Sequence, residues 1–164
     1  MPLPSTMTPI ATNTLASSSA SITFTSIPQT YTDLVVILNG NSTSGATGSI
    51  GLRYNSDTNT NYSYTRLLGS GSAASSARGT STDTTYIGDT GSDRAVFIVS
   101  IQNYTNTNTY KTHLSRSSSE NYVGAYVGLW RSTSAITSIV ISPVGGSGTY
   151  ASGSTFTLYG IAAA

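Results

Sequence analysis

An all-β domain is what this sequence predicts, and three observations carry the prediction. Short segments of alternating apolar and polar residues recur along the chain, and clusters of Gly, Asn, Ser and Asp separate them. No window holds an i, i+3, i+4, i+7 apolar stripe made of strong helix formers. Finally, the polar surface is built from 29 Ser, 27 Thr and 10 Asn rather than from charges, so β-formers and turn-formers dominate together. Strands at this spacing point to an antiparallel sandwich or a barrel.

Taken in order, residues 1–20 read as an extended arm. Pro2, Pro4 and Pro9 remove backbone donors and bias their neighbours away from helix, while Leu3, Ile10 and Leu15 are isolated apolar anchors suited to docking on a neighbouring subunit. The sandwich is expected over 21–164. Its strands are predicted at Ile22/Phe24, Leu34 to Leu38, Ile50/Leu52/Tyr54, Tyr62/Tyr64, Tyr86-Ile87, Ala95 to Ile101, Tyr110/Thr112/Leu114, Tyr122 to Trp130, Ile136 to Ile141 and Phe156/Leu158. Turns are predicted at Asn39 to Asn41, Asn55 to Asn61, Gly69 to Gly79, Asp89 to Asp93, Asn103 to Asn108, Ser115 to Asn121 and Pro143 to Gly153. The segments 34–38 and 95–101 are apolar on both faces, which predicts central strands with the core on one side and an arm or a subunit on the other. The 122–130 strand puts Tyr122, Gly124, Tyr126, Gly128 and Trp130 on one face and Val123, Ala125, Val127 and Leu129 on the other. The aliphatic side is expected to be the core face and the aromatic side a binding face; the reverse is the other reading of the same alternation.

Composition excludes more chemistry than it offers. Only 8% of the 164 residues are charged, Cys is absent, and there is one Lys, one Glu and one His. Disulfides and thiolate metal sites are ruled out. A net charge of +1, with Arg and Lys scattered, carries no polyanion footprint, so nucleic acid is not an expected partner. The first residues lack the basic and apolar regions of a secretory signal, and no run approaches 18 apolar residues, so neither export by the general pathway nor membrane insertion is expected.

Candidate sites reduce to one surface. His113 should face solvent beside Lys111 and Ser115, with no nucleophile elbow to partner it, so no catalytic residue is expected. All the acids except Asp33 lie in or beside turn segments, where Asp closes Asx turns. Asp57-Thr58-Asn59-Thr60-Asn61 begins like a calcium loop and then fails, because Tyr62 stands where Gly is needed and Leu68 where the bidentate Glu belongs. No metal and no cofactor are expected. The sequons at Asn41, Asn61 and Asn103 are what an Asn/Ser/Thr-rich chain supplies by chance. Eleven Tyr against three Phe suggest wet-edged interfaces, with a candidate patch at Tyr122, Tyr126, Trp130 and Arg131.

Three stretches carry a resemblance: Ile10 to Leu15 followed by Ile22 to Val36, the middle segments Leu52-Arg53-Tyr54-Asn55 and Asn61-Tyr62-Ser63, and the end, Gly153 to Ile161. They resemble small virion proteins of tailed bacteriophages, particularly cyanophages and marine phages. The resemblance implies a jelly-roll sandwich, often trimeric, used in capsid decoration or in head or tail fibres. The expected role is a capsid cement protein that binds the major capsid protein, through an arm whose contacts are Leu3, Pro4, Pro9, Ile10 and Leu15, and acts as a homotrimer. A tail-fibre or receptor-binding tip that stacks its Tyr and Trp on host surface glycan is the runner-up. A polysaccharide-degrading enzyme is disfavoured by the shortage of carboxylates.

Overall fold

The computed structural model describes residues 6–41, 48–90, 94–120, 122–146 and 148–162. Among them twelve strands form two antiparallel sheets that share one core, so the expectation of an all-β sandwich is met. The strands are β1 (Met7–Thr14), β2 (Ile22–Phe24), β3 (Asp33–Gly40), β4 (Gly48–Tyr54), β5 (Tyr62–Gly69), β6 (Ala74–Thr82), β7 (Thr85–Thr90), β8 (Ala95–Ile101), β9 (Lys111–Ser118), β10 (Val123–Trp130), β11 (Ile139–Pro143) and β12 (Thr155–Ile161). The large sheet runs β1-β12-β3-β8-β9-β10-β5-β6 and the small one β2-β11-β4-β7.

Pairing is nested. The first strand pairs with the last, β2 with β11, β3 with β8 and β4 with β7, so the chain behaves as one long hairpin whose paired arms alternate between the two sheets. Two hairpins interrupt this plan, β5-β6 and β9-β10, and both are added to the same end of the large sheet. The small sheet therefore ends at β7, which packs across β9 and β10. The core is the alternate set from each sheet: Leu34, Val36, Leu38, Phe97, Val99, Ile101, Phe156 and Leu158 meet Ile22, Phe24, Ile50, Leu52, Ile87, Ile139 and Ile141.

Two expectations are corrected. Residues 7–14 are not a separate arm but the edge strand β1, paired along its length with β12. The backbone of Leu15 exchanges hydrogen bonds with Gly153 and Ser154, and its side chain is buried in the core. An extended Pro- and Thr-rich segment suits a sheet edge as well as a docking arm, and Pro9 sits where the missing donor is tolerated, at an edge and beside the register shift between Pro9 and Ala11. Leu3 and Pro4 lie outside the described residues. The second correction concerns Gly69 to Gly79. The turn occupies only residues 70–73, with Gly71 at a φ of +83°, and the chain then runs as β6. No alternation announces that strand because nearly all of it is exposed on both faces. Its order comes from the β5 ladder alone.

Candidate functional site

Strand β10 turns out to face the opposite way from the expectation. Tyr126 and Trp130 are buried, whereas Val123, Ala125 and Val127 are exposed. Close approach explains the reversal. A Cβ on Gly128 would lie 2.1 Å from His113 Cε1 and 2.2 Å from Thr85 Oγ1, so only glycine lets β9 and β7 press onto this face. The large residues then fill the gaps that the small ones leave. Tyr126 donates to Asp89 Oδ2 at 2.7 Å, and Trp130 Nε1 donates to Asp57 Oδ2 at 2.8 Å. The proposed patch is thus divided. Tyr122 is half-buried, Tyr126 and Trp130 belong to the interior, and Arg131 straps a loop by donating to the carbonyls of Thr60 and Tyr62.

His113 is also inside, contrary to the solvent-facing expectation. Strand β9 turns Lys111, His113, Ser115 and Ser117 inward and Thr112, Leu114, Arg116 and Ser118 outward. The physical reason is the edge of the small sheet. Carbonyls of β7, next to the register shift between Ile50 and Gly51, need donors: Ser115 Oγ donates to the Ile87 carbonyl, and the His113 Nε2 lies 3.3 Å from that of Tyr86. Apolar side chains could not satisfy them. His113 Nδ1 lies 3.1 Å from the Tyr54 hydroxyl, so one neutral tautomer serves both neighbours. Burial pushes its pKa down to about 4, with the Tyr86 carbonyl opposing the shift. Lys111 is buried too, its ammonium donating to the carbonyls of Asn106, Thr109 and Thr133, and burial lowers its pKa.

The calcium-like loop is closed by its own donors. Asp57 accepts from the Asn59 backbone and side chain, from Asn61 and from Trp130, so the carboxylate is saturated by hydrogen bonds. Desolvation pushes its pKa up, but those bonds outweigh it and hold the pKa down at about 2. The Asx-turn role expected for such residues is the one Asp57 plays. Among the described residues no group of three or more His, Asp or Glu could hold a metal.

The surface that stands out is the outer face of the large sheet. Cross-strand rows place Val96, Ser118 and Val123 side by side, then Ile98, Arg116, Ala125 and Leu67, then Ser100, Leu114, Val127 and Thr65. Leu67, Val96, Leu114, Val123 and Val127 are 40–61% exposed, and all five lie on the four adjacent strands β8, β9, β10 and β5. Val35 and Ile37 of β3 continue the apolar surface beyond Ile98. Polar rows flank it: Thr12 with Thr157 and Thr14 with Thr155 on one side, Ser76, Arg78 and Thr80 of β6 on the other. The one signal that could have located it was the alternation of Gly with aromatics in β10, a large-small pattern that fits a closely packed inner layer. A smaller polar hollow of about 250 Å³ lies at one end, lined by Gly48, Ser49, Arg66, Leu68, Asp89 and Tyr122. There Asp89 accepts from Ser49 at 2.6 Å and from Arg66 at 3.2 Å. No family model matches the chain, and no curated protein matches it.

Proposed function

We propose that this chain is a structural protein of a tailed-bacteriophage virion, a cement or decoration protein that binds the major capsid protein and stabilises the head as a homotrimer. The observation that carries the reading is the unpartnered aliphatic face on a low-charge sandwich: apolar patches of this extent belong to surfaces that are covered in use. Nested pairing supports the jelly-roll form implied by the resemblance. Taking away the two inserted hairpins leaves β1-β12-β3-β8 against β2-β11-β4-β7, two four-stranded sheets wound from one hairpin. A three-fold assembly is supported by width. Four strands at ~4.8 Å spacing make a stripe ~19 Å wide, and three such stripes closed into a triangle would each stand ~5.5 Å from the axis, about half the ~10 Å at which sheets pack.

The side chains available support a non-enzymatic role. The single His is enclosed between Tyr54 and Tyr86 and held neutral, which removes it from proton exchange with a substrate. Binding by many symmetric copies adds stability to a shell by mass action. Immunogold labelling of intact particles tests the reading: label spread over the head is expected. Label confined to the tail would favour the tail-tip reading, whose structural support is the hollow beside Tyr122, Arg66 and Asp89, polar and edged by an aromatic ring as sugar sites are. Absence of label from particles would overturn both.

A further inference from the structure

We propose that the outer face of β8, β9, β10 and β5 is the contact between copies of this chain, formed before any attachment to a particle. This rests on the reading of the protein as an assembling structural component, and it names the surface that does the assembling.

Four observations lead to a second copy as the occupant. First, β3 and β8 are apolar on both faces, the mark of strands covered on both sides, yet only the inner side is covered within the chain. The N-terminal segment that could have lain across the outer side is used up as an edge strand of the same sheet. Second, the face has interface anatomy: aliphatic side chains at the centre, Thr and Ser hydroxyls along the rim. Third, its charges are Arg116 and Arg78, with Asp33 at a far corner bonded to the Asn103 backbone; Arg is the charge that interfaces retain, and neither Lys nor Glu is among the outward residues of these strands. Fourth, the four strands, of seven or eight residues each, give an apolar centre of about 500 Å², and the polar flanking strands of the same sheet extend the face to about 900 Å², against the about 800 Å² per partner of a stable protein–protein contact. A capsid surface could cover it only on the particle, leaving the free chain with an apolar face near the upper end of what soluble monomers expose. A copy of itself is available from the moment of synthesis.

The experiment is light scattering on the purified full-length protein, compared with Val127→Asp, Leu114→Asp and, as a control on the outer side of the small sheet, Thr23→Asp. Wild type and Thr23→Asp should give a multiple of 16.9 kDa at micromolar concentration. Each face variant should dissociate, its dissociation constant raised about a hundredfold by a carboxylate placed in the apolar centre. Should an Asp variant fail to fold, Val127→Cys provides a second route: the chain has no other Cys, so one nitroxide there should show strong dipolar coupling between copies. A wild-type monomer at high micromolar concentration overturns the inference, as does a full-sized oligomer in both Asp variants or an oligomer without dipolar coupling at Val127→Cys. A dimer upholds it and removes the three-fold part of the functional reading. An oligomer that never labels particles upholds it while the virion role fails.

Discussion

His113 illustrates how a single polar side chain can be structural while looking chemical. Its folded pKa of about 4 lies below the ordinary 6.5, so the fold prefers the neutral ring. Stability from this residue is complete above pH 6.5 and is lost as pH falls through 4, about 3 kcal/mol in all. Urea unfolding at pH 7 and at pH 4.5 should show most of that loss, and His113→Gln, which cannot take up the proton, should flatten the slope between them. Asp57 acts in a separate window. Its pKa is depressed from 3.8 to about 2, so its contribution is present above pH 3.8 and disappears toward pH 2. Gly128→Ala should destabilise the protein by roughly 1–3 kcal/mol, because the added methyl meets a ring pinned at both nitrogens. The entropy gained by replacing glycine in the unfolded chain is worth only about 0.4–1 kcal/mol and does not offset it. Thermal melts of wild type and variant decide the sign.

At the scale of elements, the edge strand β1 has the sharpest consequence. An arm could be removed without affecting the sandwich. A strand that covers β12 and delivers Leu15 to the core cannot. Deleting residues 1–15 should therefore lower the melting temperature markedly, and Leu15→Ala alone should cost about 2 kcal/mol, at the low end for a buried leucine because it lies at the core margin. A truncated protein that melts like wild type would mean the β12 edge stands without β1. Strand β9 shows a different dependence. Its inward His and Ser meet carbonyls of β7, and its Lys those of the neighbouring loops, so side-chain hydrogen bonds tie β9 to the small sheet.

The molecule as a whole closes its two ends together. Because β1 meets β12 and β2 meets β11, the pairs that seal the two sheets join residues 141–154 and 115–119 positions apart. Such non-local pairing slows folding, and refolding by stopped-flow dilution should fall at the slow end for single domains, roughly milliseconds to seconds or longer. Both sheets share one core, so unfolding should be a single cooperative transition, with calorimetric and van't Hoff enthalpies equal at concentrations where the oligomer is dissociated.

Local residue pattern was enough for the class of fold, for ten of the twelve strands among the described residues, for the Asx turn at Asp57 and for the two-sided apolar character of β3 and β8. These are local properties: alternation of period two and turn chemistry are written in neighbouring residues. Which face of each strand is covered was set by packing between the sheets. Alternation in β10 defines an aliphatic side and an aromatic-glycine side but assigns neither to the core, and the packing of β7 and His113 against Gly128 made the choice. The same layer drew His113 and Ser115 inward against their polarity because carbonyls of β7 at the end of the small sheet required donors, and Lys111 because those of the neighbouring loops did. Strands β1 and β6 were likewise illegible, since an edge strand draws its order from a partner's backbone rather than from an apolar face of its own.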